Sequence, residues 1–321
     1  MRIVQSVTRS ALCAIACAAY LPACGGPQPP ITAPGAPQFS PTVTHREDNH
    51  AWMDPSAKGR DLLYVSLDTV HVYSYPRGTL LGSLGVYGAF LCSDRFGNVF
   101  VPDSSLGEIF VYAHGAPRPK TILYDDLPVN CSVDPTSEAV AVTGSYTGGT
   151  VIFPYSRKRG WGFGKLYPDP NMSANDFCAY DNKGDLFVDG RSTSGGFRLA
   201  ELARGATTFT AIKLNQSIVA GGFMQWSDGY LSIGEFAYGY PNPAVIYRFA
   251  LKGSSGTEVS TTKLSQSYAQ AQFLLQRGKA IGPLAYGSVR GVGFWKFPAG
   301  GSFFKSLATT RAPTGEAISL K

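Results

Sequence analysis

The feature that most constrains this chain is a short unit, an aromatic-rich strand running into a small turn, that occurs six times. It reads Val72-Tyr73-Ser74-Tyr75-Pro76-Arg77-Gly78, then Val111-Tyr112-Ala113-His114-Gly115, then Ile152-Phe153-Pro154-Tyr155. The later copies are Arg198-Leu199-Ala200-Glu201-Leu202-Ala203-Arg204-Gly205, Ile246-Tyr247-Arg248-Phe249 and Phe294-Trp295-Lys296-Phe297-Pro298-Ala299-Gly300. Large apolar side chains alternate with smaller or polar ones, which places them on one face of a pleated strand. A unit of this kind cannot bury that face alone and must stack on its neighbours.

A short strand precedes each copy, beginning near Leu62, Asn98, Glu138, Asp185, Gly229 and Lys279, at intervals of 36, 40, 47, 44 and 50 residues. Those intervals suit a four-stranded antiparallel sheet with its turns. Another strand follows each copy, at Thr79–Gly85, Lys120–Asp125, Gly164–Asp169, Thr207–Asn215, Val259–Ser265 and Ser302–Ala308. Innermost strands are expected at 88–93, 129–133, 176–180, 222–226 and 271–275, with none before Leu62. The missing one lies at the other end, in Gly315-Glu316-Ala317-Ile318-Ser319-Leu320. Paired with the first sheet, it would close a ring and hide the open edges.

The fold class predicted is therefore all-β. It is a six-bladed β-propeller of four-stranded antiparallel blades over residues 59–321, closed by the C-terminal strand completing blade 1. Composition agrees: 37 Gly, 22 Pro, 17 Tyr and 19 Phe among 321 residues favour strands and turns, and 16% charged residues suit few exposed helices.

The N-terminus carries an address. Residues 1–10 hold two Arg and no acid, 11–21 form an apolar run too short to span a bilayer, and small residues follow. Residues 1–23 thus read as a signal peptide. Leu21-Pro22-Ala23-Cys24-Gly25 resembles a bacterial lipobox, which implies lipidation at Cys24 and a membrane anchor. Gly25 after that Cys implies, by the same resemblance, an outer-membrane or cell-surface envelope protein. Residues 24–58 hold Pro at 27, 29, 30, 34, 37, 41 and 55 and read as an extended tether ending near Trp52-Met53.

Charge excludes one partner class. The chain has 28 basic and 22 acidic residues; without Arg2 and Arg9 of the signal, 26 remain against 22, a charge of +4. The basic residues are scattered along the sequence, so nucleic acid is not an expected partner. Of the cysteines beyond Cys24, Cys92, Cys131 and Cys178 fall on or beside inner strands and are expected to be buried thiols. No CxxC is present, and no thiol metal site is expected.

Two stretches carry a family resemblance. Leu91-Cys92-Ser93-Asp94-Arg95-Phe96-Gly97-Asn98-Val99-Phe100-Val101-Pro102-Asp103 and Phe177-Cys178-Ala179-Tyr180-Asp181-Asn182-Lys183-Gly184-Asp185-Leu186-Phe187-Val188-Asp189 resemble NHL propeller repeats. The third copy keeps Asp134 and loses the turn Gly. The resemblance implies a fold and no function, since such propellers include binders, structural modules and enzymes. Asp94, Asp134 and Asp181 are expected to accept hydrogen bonds from turn N–H groups, and Asp103 and Asp189 to cap the loops after their strands.

Ligands are expected at the face where the second-to-third-strand loops and the loops leading into inner strands emerge. Those loops hold the candidate ligand-binding residues Asp126, Asn130, Tyr146, Asn175, Asp176, Asp189, Arg191, Glu235, Tyr238, Tyr240, Tyr268 and Arg290. Exposed aromatics there would contact a sugar ring or a peptide. The function expected is a non-catalytic binding or interaction scaffold for a protein or glycan, with no cofactor. The alternative resembles gluconolactonase-type propellers, which implies a divalent cation such as Ca²⁺ near Asp126, Asn130, Asn175 and Asp176. That family's metal motif is not recognisable, and no Glu is expected to open an inner strand. His45 and His50 lie in the tether, and His71 and His114 on third strands; no nucleophile elbow or P-loop is present.

Overall fold

The computed structural model describes residues 51–144, 149–235, 243–267, 272–286 and 288–321. In chain order its strands are β1 (Trp52–Met53), β2 (Leu62–Ser66), β3 (Val70–Ser74), β4 (Leu80–Ser83), β5 (Cys92–Ser93), β6 (Val99–Asp103), β7 (Glu108–Tyr112) and β8 (Pro119–Tyr124). Next come β9 (Asn130–Val133), β10 (Val140–Thr143), β11 (Gly149–Phe153), β12 (Tyr155–Ser156), β13 (Gly160–Trp161) and β14 (Lys165–Pro168). Then follow β15 (Met172–Tyr180), β16 (Leu186–Ser192), β17 (Phe197–Leu202), β18 (Thr210–Leu214), β19 (Gly221–Ser227), β20 (Tyr230–Glu235) and β21 (Ala244–Lys252). The last are β22 (Ser255–Leu264), β23 (Leu274–Gln276), β24 (Lys279–Tyr286), β25 (Val289–Lys296), β26 (Gly300–Ala308) and β27 (Gly315–Ser319).

Consecutive strands pair antiparallel in meanders, which we number as sheets one to six: β2–β4, β5–β8, β9–β11 with β14, β15–β18, β19–β22 and β23–β26. The architecture is all-β and propeller-like. Sheets four, five and six are joined at their outer strands by short parallel contacts, Lys213 and Leu214 of β18 against Ser255 and Gly256 of β22, and Leu264 against Gly301. The tail strand β27 pairs with β2, from Leu62 opposite Ser319 to Ser66 opposite Gly315. Two features have no counterpart in the strand pattern of the sequence. The pair Trp52–Met53 lies against the outer edge of β4, with Trp52 opposite Ser83, and β12 and β13 form a separate ribbon.

The turns follow from local chemistry. The Asp94 carboxylate accepts from Phe96 N and Asn98 N, at 2.9 and 2.8 Å; Asp134 and Asp181 accept from Thr136 N and Lys183 N, each at 2.7 Å. Gly97 (φ 79°) and Gly184 (φ 88°) supply the left-handed residue that such a turn needs, and in the third sheet Glu138 takes it at φ 66°.

The first strands of the sheets neighbour one another in succession: β27 contacts β5, β5 contacts β9, β9 contacts β15, β15 contacts β19, β19 contacts β23, and β24 of the last sheet touches β27. Side chains clip several of these junctions where no ladder runs. Asn130 Oδ1 accepts from Cys178 N at 3.1 Å and Ser132 Oγ from Tyr180 N at 3.0 Å. Gln225 holds Leu275 through both its N–H and its carbonyl, at 2.7 and 3.0 Å. Gln272 Oε1 accepts from Leu91 N at 2.8 Å and Glu316 N at 3.0 Å, and its amide donates to Leu91 O. Phe187 stacks on Trp226 with centroids 5.6 Å apart.

The junction of β5 and β9 corrects the thiol expectation. Cys92 and Cys131 form a disulfide with Cα atoms 5.7 Å apart, a span that a disulfide bridges, because the neighbouring first strands β5 and β9 come into contact. Cys178 is the buried free thiol, and burial pushes its pKa up.

Candidate functional site

The loops that lead into the first strands and those that join second to third strands emerge at one face. There a cavity of about 420 Å³ is lined by residues of four sheets. Its aromatic lining is Phe90, ahead of β5, Phe177 of β15 and Phe197 of β17; Val129, Val219, Ala220 and Gly221 complete the apolar part. Asp176 and Arg191 supply charge.

Beneath lies an aromatic chain that crosses the sheets. Phe90 and Phe177 meet edge to face with centroids 5.0 Å apart, Phe177 and Phe223 at 6.1 Å, and Phe223 and Phe273 at 5.4 Å. Phe177, Phe223 and Phe273 are each less than a tenth exposed, so the rings fill the space where these first strands converge. The cavity rests on that apolar support.

Two glycines shape the wall. A Cβ on Gly190 would stand 1.9 Å from Ala174 O, so only glycine lets β16 lie against the irregular stretch of β15 around Asn175. A Cβ on Gly221 would stand 2.4 Å from Asp189 Oδ2 and would fill the cavity's edge.

The structure sorts the sequence candidates into three groups. Asp176 and Arg191 line the cavity. Burial raises the Asp176 pKa and the Arg191 charge opposes the rise. Asn130, Asn175 and Asp189 are fully buried below the surface. Asn130 serves as an interstrand clip, and Asn175 Nδ2 donates to Thr150 Oγ1 at 3.1 Å. Asp189 does not cap the loop after its strand, unlike Asp103, which accepts from Ser105 N at 3.0 Å. It turns inward instead, its Oδ1 accepts from Phe177 N at 3.0 Å, and burial pushes its pKa well up. It thus positions the ring that floors the cavity. Glu235 is a second support: it accepts from Val219 N at 3.1 Å and from the Tyr247 hydroxyl at 2.8 Å, which fixes the 216–221 loop.

Asp126 and Arg290 stand apart from the cavity. Asp126 is exposed beside buried Asp125, whose carboxyl is raised to about 6 by desolvation. Arg290 Nη1 donates to Val289 O at 2.8 Å. Cys24, Tyr146, Tyr238, Tyr240 and Tyr268 lie outside the described residues.

Sequence reasoning missed Phe90, Phe177 and Phe197. The signal was available: Phe90, Phe177, Phe223 and Phe273 stand at matching places, at or just before first strands. It also missed Glu316, which stands second in β27 and is fully buried with neither carboxylate oxygen bonded among the described residues. A Glu does therefore stand near the start of a first strand, one supplied by the tail. Among the described residues, no group of three or more His, Cys, Asp or Glu side chains is placed to hold a metal ion.

No protein-family model matches the chain, and no curated protein matches it. Solved structures do. TolB from Acinetobacter baumannii superposes with a TM-score of 0.58 at 9% identity, over 84% of this chain and 68% of that one. A candidate 6-phosphogluconolactonase from Bacteroides fragilis NCTC 9343 superposes with a TM-score of 0.50 at 9% identity, over 83% of this chain and 99% of that one. At such identity the likeness concerns the fold alone, and it agrees with a β-propeller-like arrangement.

Proposed function

We propose that this protein is an extracytoplasmic binding scaffold, built as a closed six-bladed propeller, whose ligand is a protein segment or a glycan seated in the cavity of Phe90, Phe177 and Phe197. The observation that carries the reading is the cavity itself, an aromatic concavity of about 420 Å³ with one acid and one base. Such a surface takes an apolar side chain or the C–H face of a sugar, and the Asp176–Arg191 pair orients polar groups around it. Closure of the ring is supported by the succession of first-strand contacts and by the pairing of β27 with β2. An extracytoplasmic location is supported by the Cys92–Cys131 disulfide. Anchoring through a lipid on Cys24, and hence to a membrane, completes the proposal.

The test uses a peptide-display library and a glycan array with three proteins: the parent, Phe197→Ala and Val219→Arg. Val219 is 78% exposed, so the arginine blocks the cavity without touching the core. Ligands captured by the parent and lost by both variants are the expected result. Ligands retained by both would overturn the assignment of the cavity. Ca²⁺ separates the alternative enzyme reading, since a cation bound only to the folded state at 100 times its Kd adds about 2.7 kcal/mol of stability. A rise of melting temperature with Ca²⁺, abolished by Asp176→Asn, would favour a cation-dependent enzyme over a scaffold.

A further inference from the structure

At the opposite ends of the strands, the first-to-second-strand turns of sheets two and three and the β12–β13 ribbon enclose a separate cleft of about 320 Å³. Phe96, Lys120, Glu138, Tyr155, Arg157 and Trp161 line it. It shares no residue with the cavity above.

Cations that are dispersed in the sequence converge here. Arg157, Lys158 and Arg159 form the exposed tip of the ribbon, between Ser156 and Gly160. Arg95 and Arg157 both donate to Glu138 Oε1, at 3.1 and 3.2 Å, and both lie over the Phe96 ring, at 4.9 and 5.5 Å from its centroid. Lys120 Nζ donates to Asn98 Oδ1 at 2.7 Å. The local acids do not balance this charge. Two carboxylates, Asp94 and Glu138, stand among Arg95, Lys120 and Arg157, and Lys158 and Arg159 add further positive charge on the adjoining ribbon tip.

Glu138 itself carries information. Its left-handed backbone, φ 66°, occupies the place that Gly97 and Gly184 fill in the sister turns. A non-glycine residue there is strained by its own Cβ. What this side chain delivers in return is the alignment of two guanidinium groups at the cleft.

We propose that this cleft is a second binding site, for a saccharide bearing carboxylate or sulfate groups. The cations supply charge-assisted donors, which suit an anion. The rings supply an apolar edge for sugar C–H groups: Tyr155 and Trp161 meet at 4.8 Å with planes 52° apart. Those tilted rings offer no parallel pair of faces for a nucleobase. The concave shape suits a chain of sugar rings better than a flat membrane surface.

The full protein is titrated calorimetrically with trigalacturonate, with its trimethyl ester, with a sulfated heparin disaccharide, with phosphatidylglycerol vesicles and with single-stranded DNA. Expected is saturable binding of at least one anionic sugar, with the ester weaker by about tenfold or more. The double variant Lys120→Ala/Arg157→Ala loses a similar factor while its melting temperature holds, and Arg191→Ala, in the other cavity, binds as the parent does. No binding of either anionic sugar, equal binding of the ester, or full binding by the double variant overturns the proposal. Saturable binding confined to vesicles or DNA overturns it too. Failure here leaves the cavity's ligand screen unaffected, since the two sites use different variants.

Discussion

Glu316 states the problem of a buried charge in its plainest form. It is wholly inaccessible, desolvation alone drives its pKa well above the ordinary 4.5, and no described group offsets that effect. In the unfolded chain the same carboxyl ionises in its usual range, so above that range the unfolded state has released a proton that the folded state retains. Stability must then fall as pH rises from the unfolded pKa toward the folded one. Replacing Glu316 with Gln removes that fall. The melting temperature of Glu316→Gln should exceed the parent's by a margin that widens as pH is raised from the ordinary carboxyl range toward neutrality. A margin constant across that range would show that Glu316 is ionised in the folded protein. Asp189 is perturbed in the same direction and for the same first cause. Neither behaviour was legible in the sequence, where Asp189 reads as a loop cap like Asp103. Which way this carboxylate turns depends on the adjacent strand of its own sheet, where the irregularity of β15 leaves the Phe177 N–H for it, and not on its own turn.

At the scale of elements, the sequence reveals what is local. Alternating aromatics, turn Asp residues and glycines lie within a few positions of one another, so strand positions and hairpins can be read directly. Lateral contacts between sheets escape, because they pair residues some forty positions apart whose relative offset is set by three-dimensional convergence. The disulfide is the clearest instance. Cys92 and Cys131 look mismatched in a linear alignment of strands, yet they bond across β5 and β9 over a separation of 39 residues. A loop of that length, closed in the unfolded chain, corresponds to about 4 kcal/mol of chain-entropy stabilisation. Cys92→Ser/Cys131→Ser should therefore lower stability by about 2–4 kcal/mol in denaturant unfolding. A loss below about 0.5 kcal/mol would mean that the Gln272 and Asn130 clips already fix these strands. The β12–β13 ribbon escaped for a different reason: two-residue strands are too short to show a period, so its basic tip read as scattered charge.

For the whole molecule, the decisive contacts are those that tie the tail to the first sheet. Thr314 Oγ1 donates to Ser66 O across 248 positions, and Ser319 Oγ donates to Gly97 O. His114 contacts Ser319 Oγ at 2.6 Å and Arg60 O at 3.0 Å, so one imidazole touches the tail and the segment before β2. Deleting residues 314–321 strips β2 of one of its two partners and leaves Gln272 Oε1 without its Glu316 N–H donor. The truncated protein should melt far below the parent, or fail to fold cooperatively; melting at the parental temperature would show that the tail is dispensable. The pairing of the tail with the first sheet could be anticipated because completing that sheet is a counting argument. The two clefts at opposite ends of the strands could not, since each is assembled from loops of different sheets.

The same pairing sets a schedule for biogenesis. While the polypeptide is being made, β2 emerges about 250 residues before the strand that pairs with its free flank. Until β27 arrives, the first sheet has a bare flank along β2. The first sheet thus cannot be completed before residues 315–319 have been made, however early its other strands fold.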